Sequence, residues 1–98
     1  MMRLPLAIAS DHPAYAGHFP GRPVLPGVVL LDHAMLTIEA ASGQQLAGLQ
    51  LAKFHSPVSP GQQLWLEFRL DAAAVAFTIV HEQRKVADGK FAIAGAPA

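Results

Sequence analysis

One segment of the chain, Gly27 to Ser42, is long enough to form a helix and is apolar nearly all round. Its only ionisable side chains are Asp32, His33 and Glu39. A helix with no polar side is usually buried, so the rest of the chain is expected to enclose it. Gly43 stands where a left-handed residue commonly ends a helix. One apolar stripe of this helix consists of Val28, Leu31, Met35 and Ile38.

Strand patterns dominate the chain after this helix. Residues Gln63 to Leu70 alternate apolar and polar side chains, the period of a half-buried strand. The predicted strands are Leu4 to Ala9, Leu46 to His55, Gln63 to Leu70, Val75 to Glu82 and Lys85 to Ala94. Four hairpin-connected strands around one apolar helix predict an α+β fold. So small a sheet also predicts dimerisation through an edge strand, which would cover the open edge.

The composition excludes several classes of protein. A chain of 98 residues, 52% apolar and 14% charged, is expected to form a single domain over residues 1–98 rather than a disordered segment. Seven basic and seven acidic side chains give a net charge of zero, which argues against a nucleic-acid partner. The absence of cysteine excludes disulfides and thiolate metal sites. The thin core of so short a chain predicts an oligomer.

The N-terminal sequence favours a cytoplasmic location. No apolar run approaches the roughly 20 residues that span a bilayer, so no membrane partner is expected. The apolar stretch from Leu4 to Ala9 is short and contains Pro5, which favours a first strand over a secretion signal.

Three residues around the start of the helix suggest proton-transfer chemistry. Prolines and glycines recur from Ser10 to Pro26, which predicts a long and functional loop. This loop holds His18, whose ordinary pKa of about 6.5 permits proton exchange at neutral pH. The N–H of Gly27 lies at the positive helix end, where it can stabilise an oxyanion. Asp32 follows about 7.5 Å along the helix axis, where desolvation would raise its pKa and suit it to donate a proton.

The string His-Phe-Pro-Gly-x-Pro-x-x-Pro-Gly at His18 to Gly27 resembles the signature of the beta-hydroxyacyl-acyl-carrier-protein dehydratases. The carboxylate of Asp32, fourteen residues after the histidine, fits the same pattern. A second similar block runs from Lys53 to Gly61, and a weaker one from Val86 to Phe91. Within this family, the compact chain looks most like the small dehydratases of aryl-polyene and related pigment pathways.

The resemblance implies a fold and a reaction. The fold would be a hotdog, an antiparallel sheet wrapped around one long buried helix. The family is a group of hydro-lyases that convert a (3R)-hydroxyacyl thioester on acyl carrier protein to the trans-2-enoyl thioester, in fatty-acid or polyene biosynthesis. His18 would take the alpha proton, Asp32 would protonate the leaving hydroxyl, and the Gly27 N–H would bind the thioester carbonyl. Further substrate-binding residues would be Phe19, Pro26 and Val28.

The resemblance also implies partners. In the family the histidine and the carboxylate of one site come from opposite subunits, so a homodimer, a higher oligomer or a heterodimer is expected. Acyl carrier protein is the expected partner, with coenzyme A as an alternative carrier of the acyl group. No cofactor is expected, because the thioester itself acidifies the alpha proton, and no metal-ligand spacing is present. Candidates for docking an acidic carrier are Arg22, Lys53, Arg84 and Lys85.

Departures from the family pattern keep other functions open. Only seventeen residues precede His18, so part of the first sheet layer and of the acyl tunnel wall is expected to be absent or rebuilt. His33 and Leu36 stand where the family often has a small residue and a glutamine. The alternatives are a non-catalytic subunit of a heterodimeric dehydratase, a thioesterase of the same fold, and a bare acyl-binding module. The remaining histidines, His12, His55 and His81, are expected to be structural or surface residues.

Overall fold

The computed structural model describes residues 1–9, 11–13 and 24–95. In this part of the chain the elements are β1 (Met2–Leu6), α1 (Gly27–Ser42), β2 (Leu46–Phe54), β3 (Leu64–Leu70), β4 (Ala74–His81) and β5 (Arg84–Ile93). The strands form one antiparallel sheet in the order β1-β3-β4-β5-β2. The α+β architecture and the bounds of α1 are confirmed, and the ends of β2 to β5 lie within one residue of the predicted ends.

The prediction was wrong for β1 and for the partner of β2. β1 lies earlier than predicted because it pairs with β3, and this pairing stops where Leu6 meets the first residue of β3. β2 pairs with β5 and not with β3, so only β3, β4 and β5 follow one another as hairpins. Residues 55–63 connect β2 to β3, which is too long for a tight turn. Within this connection, the carbonyl oxygen of buried Val58 accepts a hydrogen bond from the N–H of Leu25, at 2.9 Å.

The ends of α1 follow from local sequence. Pro26 caps the first turn with a φ of −59°, an angle that its ring favours. Gly43 ends the helix at a φ of 73°, where its N–H donates to the carbonyl of Glu39. A carboxylate oxygen of Glu39 accepts from the N–H of Leu46 at 2.8 Å, which ties the helix end to the start of β2.

The helix buries one stripe rather than its whole circumference. The buried residues are Leu30, Ala34 and Ile38, spaced by four, which face the sheet. The predicted burial on all sides was wrong, since Val28 is 73% and Leu36 is 54% exposed. A single sheet covers only one side of a helix, so the other apolar side lies open in the single chain.

The core lies between this stripe and the inner face of the sheet. Its largest fully buried side chains are Phe68, Ile38, Leu64, Leu66, Ile79, Val75 and Val86. β5 approaches β2 closely at Gly89, where a Cβ atom would collide with the carbonyl oxygen of Leu51, next to an irregularity in the β2–β5 register. No helix in the described part of the chain has the length and apolar character needed to cross a membrane.

Candidate functional site

The first turn of α1 offers free hydrogen-bond donors. The N–H groups of Val29 and Leu30 both donate to the carbonyl of Pro26, at 3.1 and 3.2 Å. The N–H groups of Gly27 and Val28 have no acceptor among the described residues. The first turn also carries no acidic side chain that would neutralise its positive end. This end of the helix can therefore bind a carbonyl oxygen that gains negative charge.

A cleft of about 600 Å³ surrounds these donors. Residues 24–28 and Leu30 line one side, and residues 54–58 line the other. We call it the helix-end cleft. Its size falls in the range of small-molecule sites. Pro26, Gly27 and Val28, all predicted to bind substrate, lie together in its wall.

Phe54, the last residue of β2, packs against Gly27. A Cβ atom at residue 27 would lie 2.6 Å from Cζ of the Phe54 ring, closer than real Cβ contacts. Glycine is therefore needed for the ring to lie where it does. The ring remains 53% exposed, so it forms a wall of the helix-end cleft without being fixed in the core.

A second, smaller cavity holds Asp32. This groove, of about 200 Å³, is lined by Val28, Leu31, Asp32, Met35, Leu49 and Phe91. We call it the Asp32 groove. Asp32 is the one ionisable side chain in a lining that is otherwise apolar. A carboxyl group beside aliphatic and aromatic side chains suits a substrate with an acyl chain and a hydroxyl group.

The burial predicted for Asp32 was wrong for the single chain, because the side chain is exposed where no second layer covers α1. His33 is not its partner in the single chain, since Nδ1 of His33 lies 3.0 Å from the carbonyl oxygen of Val29. The ring of His33 instead meets that of His12 edge to face, with centroids 5.4 Å apart.

Val28 lines both the helix-end cleft and the Asp32 groove. The two cavities are therefore neighbours at the first turn of the helix, which carries these N–H groups. A substrate whose carbonyl oxygen bound these donors would have one cavity on each side of its carbonyl carbon.

His55, which was expected to be a structural or surface residue, lines the helix-end cleft. Its Nε2 lies 2.7 Å from a carboxylate oxygen of Asp88 on β5. This hydrogen bond lowers the pKa of Asp88 below its ordinary value of 3.8, and the charge of Lys85 adds to the effect while desolvation opposes it. The pairing of β2 with β5 sets Lys53 opposite Asp88 and so brings His55 near it, and no local pattern in the sequence indicated this pairing. The predicted hairpin between β2 and β3 concealed it.

Other predicted residues lie outside the described ranges. These are His18, Phe19 and Arg22. Lys53, Arg84 and Lys85 lie on β2 and β5. Among residues 1–9, 11–13 and 24–95, no group of three or more metal-ligating side chains comes together.

Comparisons with known proteins show which family the chain resembles. A sequence profile of ApeI-like proteins, described as ApeI dehydratase, matches residues 1–90. The 3-hydroxyacyl-[acyl-carrier-protein] dehydratase FabZ of Haemophilus influenzae is 37% identical over 73 residues, which are 64% of this chain and 49% of that protein. FabZ of Thermus thermophilus is 34% identical across 91% of this chain and 75% of its own length. The chain spans about half the length of most of these curated relatives.

Two solved structures are similar to the fold. The dehydratase heterocomplex ApeI:P from Xenorhabdus doucetiae matches with a TM-score of 0.79 and 27% identity, covering 93% of this chain and 84% of that one. An uncharacterized protein from Erwinia carotovora matches with a TM-score of 0.72 and 28% identity, covering 93% and 80%. The first likeness confirms the hotdog fold that the sequence predicted.

Proposed function

Since the chain belongs to the ApeI-like dehydratase family, we propose that it is a hydro-lyase acting in fatty-acid or polyene biosynthesis. It would remove water from a (3R)-hydroxyacyl thioester on acyl carrier protein and leave the trans-2-enoyl thioester. The observation that carries this proposal is the Asp32 groove, which sets a carboxyl group in an apolar lining that meets the free N–H groups of α1 at Val28.

The proposed reaction uses each group in a defined role. The N–H groups of Gly27 and Val28 bind the thioester carbonyl oxygen, which stabilises the negative charge that develops when the alpha proton leaves. His18 of the other subunit takes this proton, a role that rests on the sequence motif and on the resemblance to the family. Asp32 donates a proton to the beta hydroxyl as its bond to carbon breaks, so that water departs. The acyl chain lies along Leu31, Met35 and Phe91.

We further propose that the active form is a dimer or a higher oligomer whose subunits meet at the free edge of β2. β2 has nine residues, and Leu49 and Leu51 on it are each 48% exposed. β1, the opposite edge, has five residues and contains Pro5, which has no N–H to offer a partner strand. A second chain at β2 would cover the open apolar side of α1 and supply the desolvation that Asp32 lacks in the single chain.

The main alternative is a non-catalytic subunit of a heterodimeric dehydratase. It is favoured by the heterocomplex ApeI:P, the structure with a TM-score of 0.79. In that case the same edge of β2 would bind a different chain, and Asp32 would complete a site whose histidine comes from the partner. Acyl carrier protein as partner and the cytoplasmic location stay predictions in either case.

Mass spectrometry of carrier-bound substrate tests the proposal. The purified protein is incubated with beta-hydroxyacyl carrier protein and, separately, with the enoyl form, because the equilibrium often favours hydration. A mass change of one water that is lost in His18→Ala and in Asp32→Asn would support the dehydratase, with Asp11→Asn as a control carboxylate. Release of free acid would identify a thioesterase. A folded oligomer that converts neither substrate would contradict the proposal and support the partner-subunit role.

A further inference from the structure

We propose that His55, oriented by Asp88, is a positioning residue that binds the amide-bearing arm through which a carrier protein holds its acyl thioester. This inference rests on the proposed function, because it concerns the same substrate. It assigns a role to the His55–Asp88 pair, which the proposed reaction does not use.

The bound thioester sets the direction in which the arm leaves the site. A thioester carbonyl at the N–H groups of Gly27 and Val28 has the acyl chain on one side and the sulfur on the other. The Asp32 groove is apolar and takes the acyl chain. The sulfur and the arm beyond it must then extend into the helix-end cleft, which meets the groove at Val28.

The helix-end cleft offers few polar side chains to the arm. Among the described residues that line it, the side chains are apolar apart from those of His55 and Ser56. The hydroxyl of Ser56 is directed to the carbonyl oxygen of Lys85, at 3.5 Å. Nδ1 of His55 has no hydrogen-bond partner among the described residues, and Nε2 is engaged by Asp88. Nδ1 is therefore a ring atom of the cleft that is free to bind a polar group of the arm, beside the Ser56 hydroxyl, whose lone pairs can also accept.

The hydrogen bond to Asp88 orients the imidazole ring of His55. To donate to the carboxylate at 2.7 Å, Nε2 must carry its proton, which leaves Nδ1 of the neutral ring as an acceptor. An amide N–H of the arm is a suitable donor for it. Asp88 is itself held by Lys85, whose Nζ lies 3.7 Å away, and it faces Lys53 across the sheet. These two lysines outnumber the one carboxylate, so the surroundings favour the anionic carrier and its phosphate-bearing arm.

A matched pair of substitutions separates this role from a structural one. The amide of glutamine reaches the place of Nε2, so His55→Gln keeps a donor for Asp88 and loses the group at Nδ1. The amide of asparagine lies near the place of Nδ1, so His55→Asn keeps a polar group for the arm. His81→Gln is the control, because His81 contacts the carbonyl oxygen of Gln63 and lies outside the helix-end cleft.

Steady-state kinetics on two substrates provide the test. For the carrier-bound thioester, His55→Gln is expected to raise KM by about three- to tenfold, the factor of one neutral hydrogen bond, with kcat unchanged. His55→Asn should recover most of this loss. On a simple S-ethyl thioester, which has no amide to offer Nδ1, both variants should match the wild type. Equal losses on both substrates, or equal behaviour of the two variants, would overturn the inference.

A binding measurement distinguishes this inference from the proposed function. Fluorescence anisotropy compares acyl carrier protein with its arm attached and the same protein without the arm. The wild type is expected to bind the arm-bearing form more tightly, and His55→Gln to lose that preference. If the wild type turned nothing over yet showed this preference, the proposed function would fail and the inference would stand. No preference in the wild type would refute the inference whatever the turnover.

Discussion

Replacing Gly89 with alanine should destabilise the fold strongly, because the added methyl group meets backbone rather than a movable side chain. A Cβ atom there would collide with the carbonyl oxygen of Leu51 and lie 3.0 Å from its carbonyl carbon and from Cζ of Phe77. No rotamer change can relieve the contact with Leu51, so β2 and β5 would have to separate locally. At Gly48 in β2 an added Cβ atom would have no neighbour within 4 Å, so this glycine is the control.

The cost can be worked out in parts. Forcing a methyl group into a packed site costs about 1–3 kcal/mol. Each ladder hydrogen bond that breaks as the strands part adds about 1 kcal/mol. The lower entropy of the unfolded alanine chain returns about 0.4–1 kcal/mol. With one or two such bonds broken, the middle of the summed range is a fall in the free energy of unfolding of about 2–4 kcal/mol, out of the roughly 5–15 kcal/mol usual for a domain.

Urea denaturation and thermal denaturation, both followed by the fluorescence of the single tryptophan, measure this difference. Gly89→Ala is expected to lower Tm by about 10–30 °C, whereas Gly48→Ala should stay within a few degrees of the wild type. Protein concentration is kept equal, because an oligomer gains stability from association. A Gly89→Ala variant as stable as Gly48→Ala would refute the close approach of β5 to β2.

Three further changes probe the site and its assembly. Gly27→Ala should change the free energy of unfolding by no more than about 1 kcal/mol relative to the wild type, because the half-exposed ring of Phe54 can turn aside. The rate of dehydration should fall, because the added methyl group disturbs the N–H donors at the start of α1. The turnover rate per folded protein measures this loss. The hydrogen bond from His55 lowers the pKa of Asp88, so it adds stability that is present above the ordinary value of 3.8 and lost as pH falls below it. Asp88→Asn should weaken that acid dependence, measured as denaturation midpoints over about two pH units on either side of the ordinary carboxyl pKa. Leu51→Lys should shift the protein to monomers in light scattering, whereas a lysine on the edge of β1 should not; an unchanged mass would refute β2 as the interface.

Local signals explain what the sequence could predict. Pro26 and Gly43 mark the two ends of α1 by their own backbone preferences, so the helix bounds needed no tertiary information. The alternation of apolar and polar side chains likewise predicted the bounds of β3 to within one residue. The predicted bounds of β1 were misplaced because they depend on where β3 begins. The pairing of β1 with β3 is a contact between distant parts of the chain.

Long-range contacts explain what the sequence could not predict. The burial of Asp32 was inferred from the apolar helix, but burial depends on a second layer that the single chain does not provide. The pair of His55 and Asp88 became visible only with the pairing of β2 and β5, which the expected hairpin misplaced. Gly27, Pro26 and Val28 line one cleft because they are neighbours in sequence.

The contact between Phe54 and Gly27 would make the rate of the reaction depend on the concentration of the protein. Phe54 ends the strand that we propose as the meeting edge of two subunits, and its ring forms a wall of the helix-end cleft. Association and the shape of the cleft would then belong to one equilibrium. Halving the protein concentration near the dissociation constant of the dimer would more than halve the rate of product formation. A cell could therefore stop most of the reaction by diluting the protein, without degrading all of it.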